Sequence, residues 1–216
     1  MRTKTNTVMG ALPRRSLLAG GVAWLLPWRD AQAGAQVEEP LADSIRSALS
    51  ASISQSAPPR PKFEANQVDA RMAYLRWLGT MSDRLKNRKT ETQIRIEFLE
   101  TVWYEAKRAG LEPSLVLGLV QVESGFRKYA ISTAGARGYM QVMPFWAKLI
   151  GDGDPSRLFH MQTNLRFGCV ILRHYLDVEK GDLYLALGRY NGSRGKPEYP
   201  RAVFGARRQW LLPGEA

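Results

Sequence analysis

The chain has 216 residues, 44% of them hydrophobic, which supports one folded domain with extensions and excludes a wholly disordered chain. A single cysteine excludes an intrachain disulfide framework, and two histidines give little support for a metal site. The sequence also has no GxxxxGK[ST] or GxGxxG motif for binding nucleotides. We therefore expect no cofactor. The net charge is +11, and +7 without residues 1–33, which favours an anionic partner: nucleic acid, a membrane surface or an acidic glycan.

The N-terminus has the features of an export signal. Arg14 and Arg15 precede an apolar run of about 12 residues, well short of the roughly 20 that a spanning helix needs. Ala31 and Ala33 supply the small residues of a cleavage site. We therefore expect residues 1–33 to be a signal peptide of the general or twin-arginine type. The mature protein would then be periplasmic, with no stable membrane span and no nucleic-acid partner.

A linker and a helical domain are predicted to follow. Residues 34–66 are rich in Ser and Pro, and a four-residue apolar spacing within them indicates a short helix. Helical patterns cover 69–86, 91–109, 113–126, 164–179 and 182–190, with Asn164 and Asp182 as expected N-caps. No strand pattern persists over more than a few residues. The sequence therefore predicts a single mostly α domain at 67–206, followed by a C-terminal tail at 207–216.

Glu123 is the carboxylate that stands out. On a helix over 113–126 it lies about 20° from Val116, between Leu119 and Val120, in the middle of the apolar stripe. A carboxyl held against apolar groups loses hydration of its charged form, which raises its pKa toward the range of a general acid. The alternative is a structural ion pair with Arg127 or Lys128.

Three segments around this residue resemble the soluble lytic transglycosylase domain family. They are Val-Glu-Ser-Gly-Phe at 122–126, a Ser and Gly-Ala pair leading into Gly-Tyr-Met-Gln at 138–141, and Arg-Tyr-Asn at 189–191. Tyr139 stands where the family has Leu, and Arg189 stands where it commonly has Ala. Together the motifs cover roughly residues 69–204, and their order makes them more specific than any one alone.

The resemblance implies a lysozyme-like fold and a peptidoglycan-cleaving enzyme. It assigns Glu123 as the single acid and base, which cleaves the MurNAc–GlcNAc bond and leaves 1,6-anhydro-MurNAc. No acidic residue lies between Glu123 and Asp152 to act as the second carboxylate of most glycosidases. The implied substrate-binding residues are Ser132, Gly138, Tyr139, Met140, Gln141, Tyr190 and Asn191. Among these, Tyr190 is expected to orient Glu123, and Trp146 is a further candidate for stacking on a sugar.

Two other functions stay open at this level. One is a peptidoglycan-binding module that no longer cleaves, which the bulky Arg189 favours. The other is a hydrolase like goose-type lysozyme, which would need Asp152, Asp154 or another carboxylate near the cleft. The implied partner is the peptidoglycan glycan strand. The sequence leaves open general wall turnover or a dedicated role in an envelope-spanning secretion, conjugation or flagellar apparatus.

Overall fold

A computed structural model describes Met1, residues 36–54 and residues 61–214. Apart from Met1, the expected signal peptide lies outside the described residues. Within them the elements are α1 (Asp43–Ile53), α2 (Val68–Leu85), α3 (Thr92–Arg108), α4 (Pro113–Ser124), α5 (Pro144–Ile150), α6 (Met161–Val178), α7 (Leu183–Tyr190) and α8 (Glu198–Arg207), with short 3-10 turns at Pro155–Phe159 and Arg208–Trp210. The same ranges contain no β-strand, only two isolated bridges between 131 and 142. The mostly α fold predicted from the sequence is confirmed.

Helix α4 is the buried centre of the molecule. Nearly every residue from Pro113 to Val120 is buried, because the segment has no charged side chain before Glu123. Gly118 lets α8 approach closely: a Cβ placed there would lie 2.7 Å from the backbone N of Arg207. Gly125, with φ of 57°, ends α4 in the left-handed conformation that glycine adopts without steric cost. Glu123 thereby lies in the last turn of a helix that is closely packed against α8.

One predicted helix start is wrong. Helix α6 begins at Met161, with His160 at the N-cap position, rather than at Asn164. The Asn164 side chain is instead fully buried and bonds the loop before α5. The Asp182 cap is confirmed, because its carboxylate accepts a hydrogen bond from Leu185 N.

Both segments that flank the predicted domain pack onto it. Helix α1 lies inside the predicted linker and contacts α5 and α6. At the other end Trp210 is buried, and its Nε1 donates to Gln121 Oε1 on α4 at 2.9 Å. Residues 36–54 and 207–212 therefore belong structurally with the helical body, although the sequence places them in a linker and a tail.

Candidate active site

The Glu123 carboxyl lies almost completely buried at the C-terminal end of α4. The residue is 5% exposed, and burial raises the pKa of its carboxyl to about 8. The Tyr199 hydroxyl donates to Glu123 Oε1, a bond that lowers this pKa and so partly offsets burial. Oε2 is buried and has no hydrogen-bond partner. A carboxyl in this state keeps its proton at neutral pH, and one of its oxygens makes no hydrogen bond within the protein.

Glu123 differs from the other acidic side chains buried in the described ranges. Glu105, whose side chain is fully buried, pairs with Arg108 and Arg166 at 2.9 Å each. Glu179, whose side chain is 5% exposed, bonds Arg189 and Arg194, and Arg194 is the main cause that lowers its pKa to about 2. Among the described residues no cation pairs with Glu123, whose Oε1 bonds Tyr199 and whose Oε2 has no partner, so the structure does not show the alternative ion pair with Arg127 or Lys128.

Tyr199 is a site residue that the motif analysis did not identify. It lies in the first turn of α8 and is 5% exposed, and burial followed by the nearby Glu123 raises the pKa of its phenol well above the ordinary value. The only sequence signal is weak: Pro200 in a first helical turn, followed by apolar residues at 202, 203 and 206. Sequence reasoning expected Tyr190 to orient Glu123, but the hydroxyl bonded to Glu123 is that of Tyr199.

The second motif forms a tight loop beside α4. Ser132 Oγ accepts from Ala136 N at 3.1 Å, so this side chain caps the loop's own turn. Gly138 has a φ of 75°, and a Cβ there would lie 2.4 Å from Asn164 Nδ2. The space left by this glycine is thus filled by Asn164, so packing within the protein already requires glycine here.

The next three residues of the motif are buried and held by the protein. Tyr139 Oη accepts from Lys89 Nζ at 2.6 Å, a bond that the usual Leu could not make. Gln141 adopts a left-handed φ of 48°, and its Nε2 donates to Gly138 O and Ala130 O. Ser124 Oγ donates to Tyr139 O at 2.7 Å and so ties this loop to the end of α4. The loop is therefore rigidly attached next to Glu123.

Met140 is held from both sides. Its N donates to Asn164 Oδ1, and its O accepts from Tyr190 Oη, each at 2.8 Å. Gly168 leaves room for its side chain, since a Cβ there would lie 2.2 Å from Met140 Sδ. Asn191 Nδ2 donates to Ser193 Oγ, while the Asn191 Oδ1 is buried without a partner. Of the predicted binding residues, Asn191 is therefore the one with a buried acceptor still unused.

Three further candidates, Trp146, Asp152 and Asp154, make their contacts elsewhere. Trp146 is 3% exposed, so its ring has no free face for a sugar, and its Nε1 donates to Gln36 Oε1. Asp152 and Asp154 bond Arg157 and Ser156. They line a different cleft, between α1 and α5–α6, whose lining does not include Glu123. In the described ranges, no group of three or more acidic, His or Cys side chains is arranged to hold a metal ion.

Comparison with known families identifies this site. A model described as the transglycosylase SLT domain matches residues 100–210, just over half of the chain. The chain belongs to the transglycosylase SLT domain family. The matched range of this SLT domain includes Glu123, the loop at 130–142, Tyr190 and Tyr199.

Curated relatives of the SLT domain carry the name membrane-bound lytic murein transglycosylase C. The relative from Actinobacillus pleuropneumoniae serotype 5b (strain L20) is 35% identical over 124 residues, which is 49% of this chain and 31% of the relative. The relative from Mannheimia succiniciproducens is 34% identical over 128 residues, with 49% and 36% covered. This chain thus spans about a third of the length of the curated relatives it matches.

Among solved structures, an inactive mutant of lytic transglycosylase Slt from Pseudomonas aeruginosa is 27% identical. The match covers 66% of this chain and 23% of that chain, with a TM-score of 0.41. Within the part of the chain that the structure describes, every helix is too short or too polar to cross a membrane.

Proposed function

We propose that this protein is a peptidoglycan lytic transglycosylase that cleaves the β-1,4 bond between MurNAc and GlcNAc and releases 1,6-anhydro-MurNAc. The observation that carries the proposal is the buried, cation-free Glu123 carboxyl, whose pKa of about 8 keeps it protonated at neutral pH. Membership of the SLT domain family supports the reaction class. The names of the curated relatives support murein as the substrate, and with it a place in the cell envelope.

In the proposed reaction Glu123 acts twice. As an acid it protonates the glycosidic oxygen, and the C–O bond to the anomeric carbon breaks. The substrate's N-acetyl group stabilises the cationic sugar centre, which replaces the second carboxylate of most glycosidases. The Glu123 carboxylate then accepts the proton of the MurNAc 6-hydroxyl, whose oxygen closes on the anomeric carbon. The proton lost in the first step is thus recovered in the second, and no water is consumed.

The second step favours the intramolecular hydroxyl over water. A hydroxyl already held beside the reacting carbon has an advantage of up to roughly 7–11 kcal/mol over a free reactant. The raised pKa of Glu123 comes from burial, not from a neighbouring carboxylate that could serve as a separate base. These two points support the anhydro product over hydrolysis.

The test is the clearing of purified sacculi by wild-type protein and by Glu123→Gln. The amide keeps the shape of the side chain and removes the transferable proton, so clearing should fall by at least about a thousandfold while the variant still sediments with sacculi. Glu64→Gln, at an exposed position in front of α2, is the matched control and should clear like the wild type. Clearing by Glu123→Gln at the wild-type rate would refute the assignment. Binding without clearing by the wild type would favour a binding module.

A further inference from the structure

The segment in front of α1 reaches the interior next to the active site. Gln36 is 5% exposed, and its Oε1 accepts from Trp146 Nε1 at 2.9 Å. This bond joins residues 110 positions apart and supplies the buried indole N–H with its acceptor. Without residue 36 that donor would be left unsatisfied, which costs about 1–3 kcal/mol.

A series of aromatic contacts connects Trp146 to Tyr190. The Trp146 ring lies 6.2 Å from the ring of Tyr175, which lies 6.5 Å from the ring of Tyr190, and both contacts are edge to face. Tyr190 Oη donates to Met140 O, so the contacts that begin at Gln36 end at the residue that fixes the second-motif loop. The Gln36 side chain also partly offsets the burial that raises the pKa of the Tyr190 phenol.

An ion pair anchors the segment three residues further on. Glu39 Oε1 lies 2.6 Å from Arg189 Nη1, and Arg189 also bonds Glu179. The Arg189 side chain is 21% exposed, so the pair is only partly open to solvent. This contact gives the departure from the usual Ala at position 189 a structural role: Arg189 joins α7 to the N-terminal segment.

Helix α1 holds the far end of the segment. Its last carbonyls have no partner within the helix. Two of them are used: Ser52 O accepts from Arg108 Nη1 at 2.8 Å, and Ile53 O accepts from Arg166 Nη1 at 3.3 Å. The same two arginines neutralise the buried Glu105. Residues 36–54 are therefore fixed at both ends to buried groups of the helical body.

We propose that residues 36–39 form a fixed wall behind the active site, in which Gln36 is a positioning residue that holds Trp146 and, through Trp146 and Tyr175, also Tyr190. The family match begins at residue 100, so the wall is a feature of this chain outside the matched range. It acts through Tyr190 on the backbone of Met140, whose neighbours line the Glu123 site. The inference deepens the proposed function and rests on it.

The test compares Gln36→Met with Val37→Ala in the full-length protein. Methionine keeps the length of the side chain and removes both hydrogen-bonding atoms, whereas Val37 is 61% exposed and serves as the control. We expect Gln36→Met to lower kcat on sacculi about tenfold with KM changed less than twofold, because small displacements near reacting groups reduce turnover. Glu39→Gln should lower kcat in the same direction by two- to threefold. Wild-type kcat in Gln36→Met would overturn the proposal.

A double-mutant cycle with Trp146→Phe separates this inference from the proposed function. Replacing both partners of a buried hydrogen bond by apolar groups costs less than removing one. Gln36→Met should therefore lower Tm by several degrees in the wild type but by little in Trp146→Phe. If the losses of Tm caused by Gln36→Met and Trp146→Phe simply add in the double variant, the contact between Gln36 and Trp146 is contradicted. If the wild type clears no sacculi, the proposed function fails, and the cycle still decides whether Gln36 holds Trp146.

Discussion

The Glu123 carboxyl has to give up a proton and then take it back, and its surroundings suit both steps. Burial favours the neutral acid, while the Tyr199 hydroxyl bonded to Oε1 stabilises the charged form. The balance is a pKa of about 8, close to the pH at which the reaction would run. A carboxyl paired with a cation, as at Glu179, would stay ionised and could not act as the acid.

Removing the Tyr199 hydroxyl should move the pH dependence upward. Because that hydrogen bond lowers the pKa of Glu123, Tyr199→Phe should raise the pKa above about 8. The alkaline fall of kcat on sacculi should then shift to higher pH, and kcat at its optimum should drop about tenfold as the carboxylate loses its donor. Tyr129→Phe, at a 70% exposed position, should leave the profile unchanged. If the alkaline fall of kcat in Tyr199→Phe stays at the wild-type pH or moves to lower pH, this role of Tyr199 is contradicted.

Burial of Glu123 should also cost stability at alkaline pH. Between its ordinary value of 4.5 and about 8, the unfolded chain releases this proton while the folded protein keeps it. The free energy of unfolding therefore falls as pH rises, by up to about 1.4 kcal/mol per pH unit from this group, and the loss is complete above the folded pKa. Glu123→Gln should be close to the wild type in stability at pH 4 and more stable at pH 8.

Urea unfolding of the two proteins across this pH range measures the difference directly. The comparison cancels the titration of all groups that the proteins share. A Glu123→Gln variant less stable than the wild type at pH 8 would show that the folded protein favours the charged form of Glu123.

The burial of a side chain on one face of its own helix can be predicted from the sequence. Hydrogen bonds between side chains and distant segments of the chain cannot. Glu123 lies on an apolar stripe, which local periodicity reveals. Residue type and position predict Asn164 as an N-cap, but its side chain bonds Met140 N, Arg137 O and Leu158 O instead. Such bonds depend on where a distant loop packs, and no local pattern encodes that.

At the scale of elements, helix α2 shows the same limit of prediction from local sequence patterns. The helix covers nearly the predicted range of 69–86, and its apolar residues at 72, 75, 78, 81 and 85 have helical spacing. Met72 and Leu75 are nevertheless exposed, while Tyr74 and Trp77 are buried. The two aromatic side chains pack with Trp103 of α3, at ring distances of 5.2 and 4.7 Å. Large aromatic contacts outweigh the aliphatic pattern in the first half of the helix, while Met81 and Leu85 of that pattern are buried in the second half.

The close packing of α4 on α8 can be tested with two glycines. In Gly118→Ala the added Cβ meets Arg207 N at 2.7 Å and Val203 O at 3.1 Å, so α8 must move and the protein should lose about 1–3 kcal/mol. Gly79→Ala in α2 meets nothing within 4 Å and should gain up to about 1 kcal/mol from helix propensity. Denaturant unfolding measures both. Equal effects of the two substitutions would contradict the close approach of α8.

Movement of α8 should also affect catalysis, because α8 carries Tyr199. Gly118→Ala is therefore expected to lower the rate of sacculus clearing, whereas Gly79→Ala should leave it unchanged. We therefore expect the contact between α4 and α8 to affect both the stability of the protein and the position of the Tyr199–Glu123 hydrogen bond.

On the scale of the whole molecule, the positive charge matches the proposed substrate. The net charge is +7 without residues 1–33, and peptide carboxylates would make the glycan strand anionic. Sedimentation with sacculi should weaken when NaCl is raised from about 0.05 to 0.5 M, because salt screens exposed charges. Binding of a neutral chito-oligosaccharide should change little over the same range. Salt-independent binding to sacculi would show that this charge has no part in recognition.

The product of the reaction tests the central claim most directly. Purified sacculi digested with the wild-type protein are analysed by mass spectrometry before and after borohydride reduction. We predict muropeptides that end in 1,6-anhydro-MurNAc, lighter by one water than the hydrolysis products and unreactive to borohydride. Reducing MurNAc ends as the main product would contradict the intramolecular closure and show that water attacks the anomeric carbon instead.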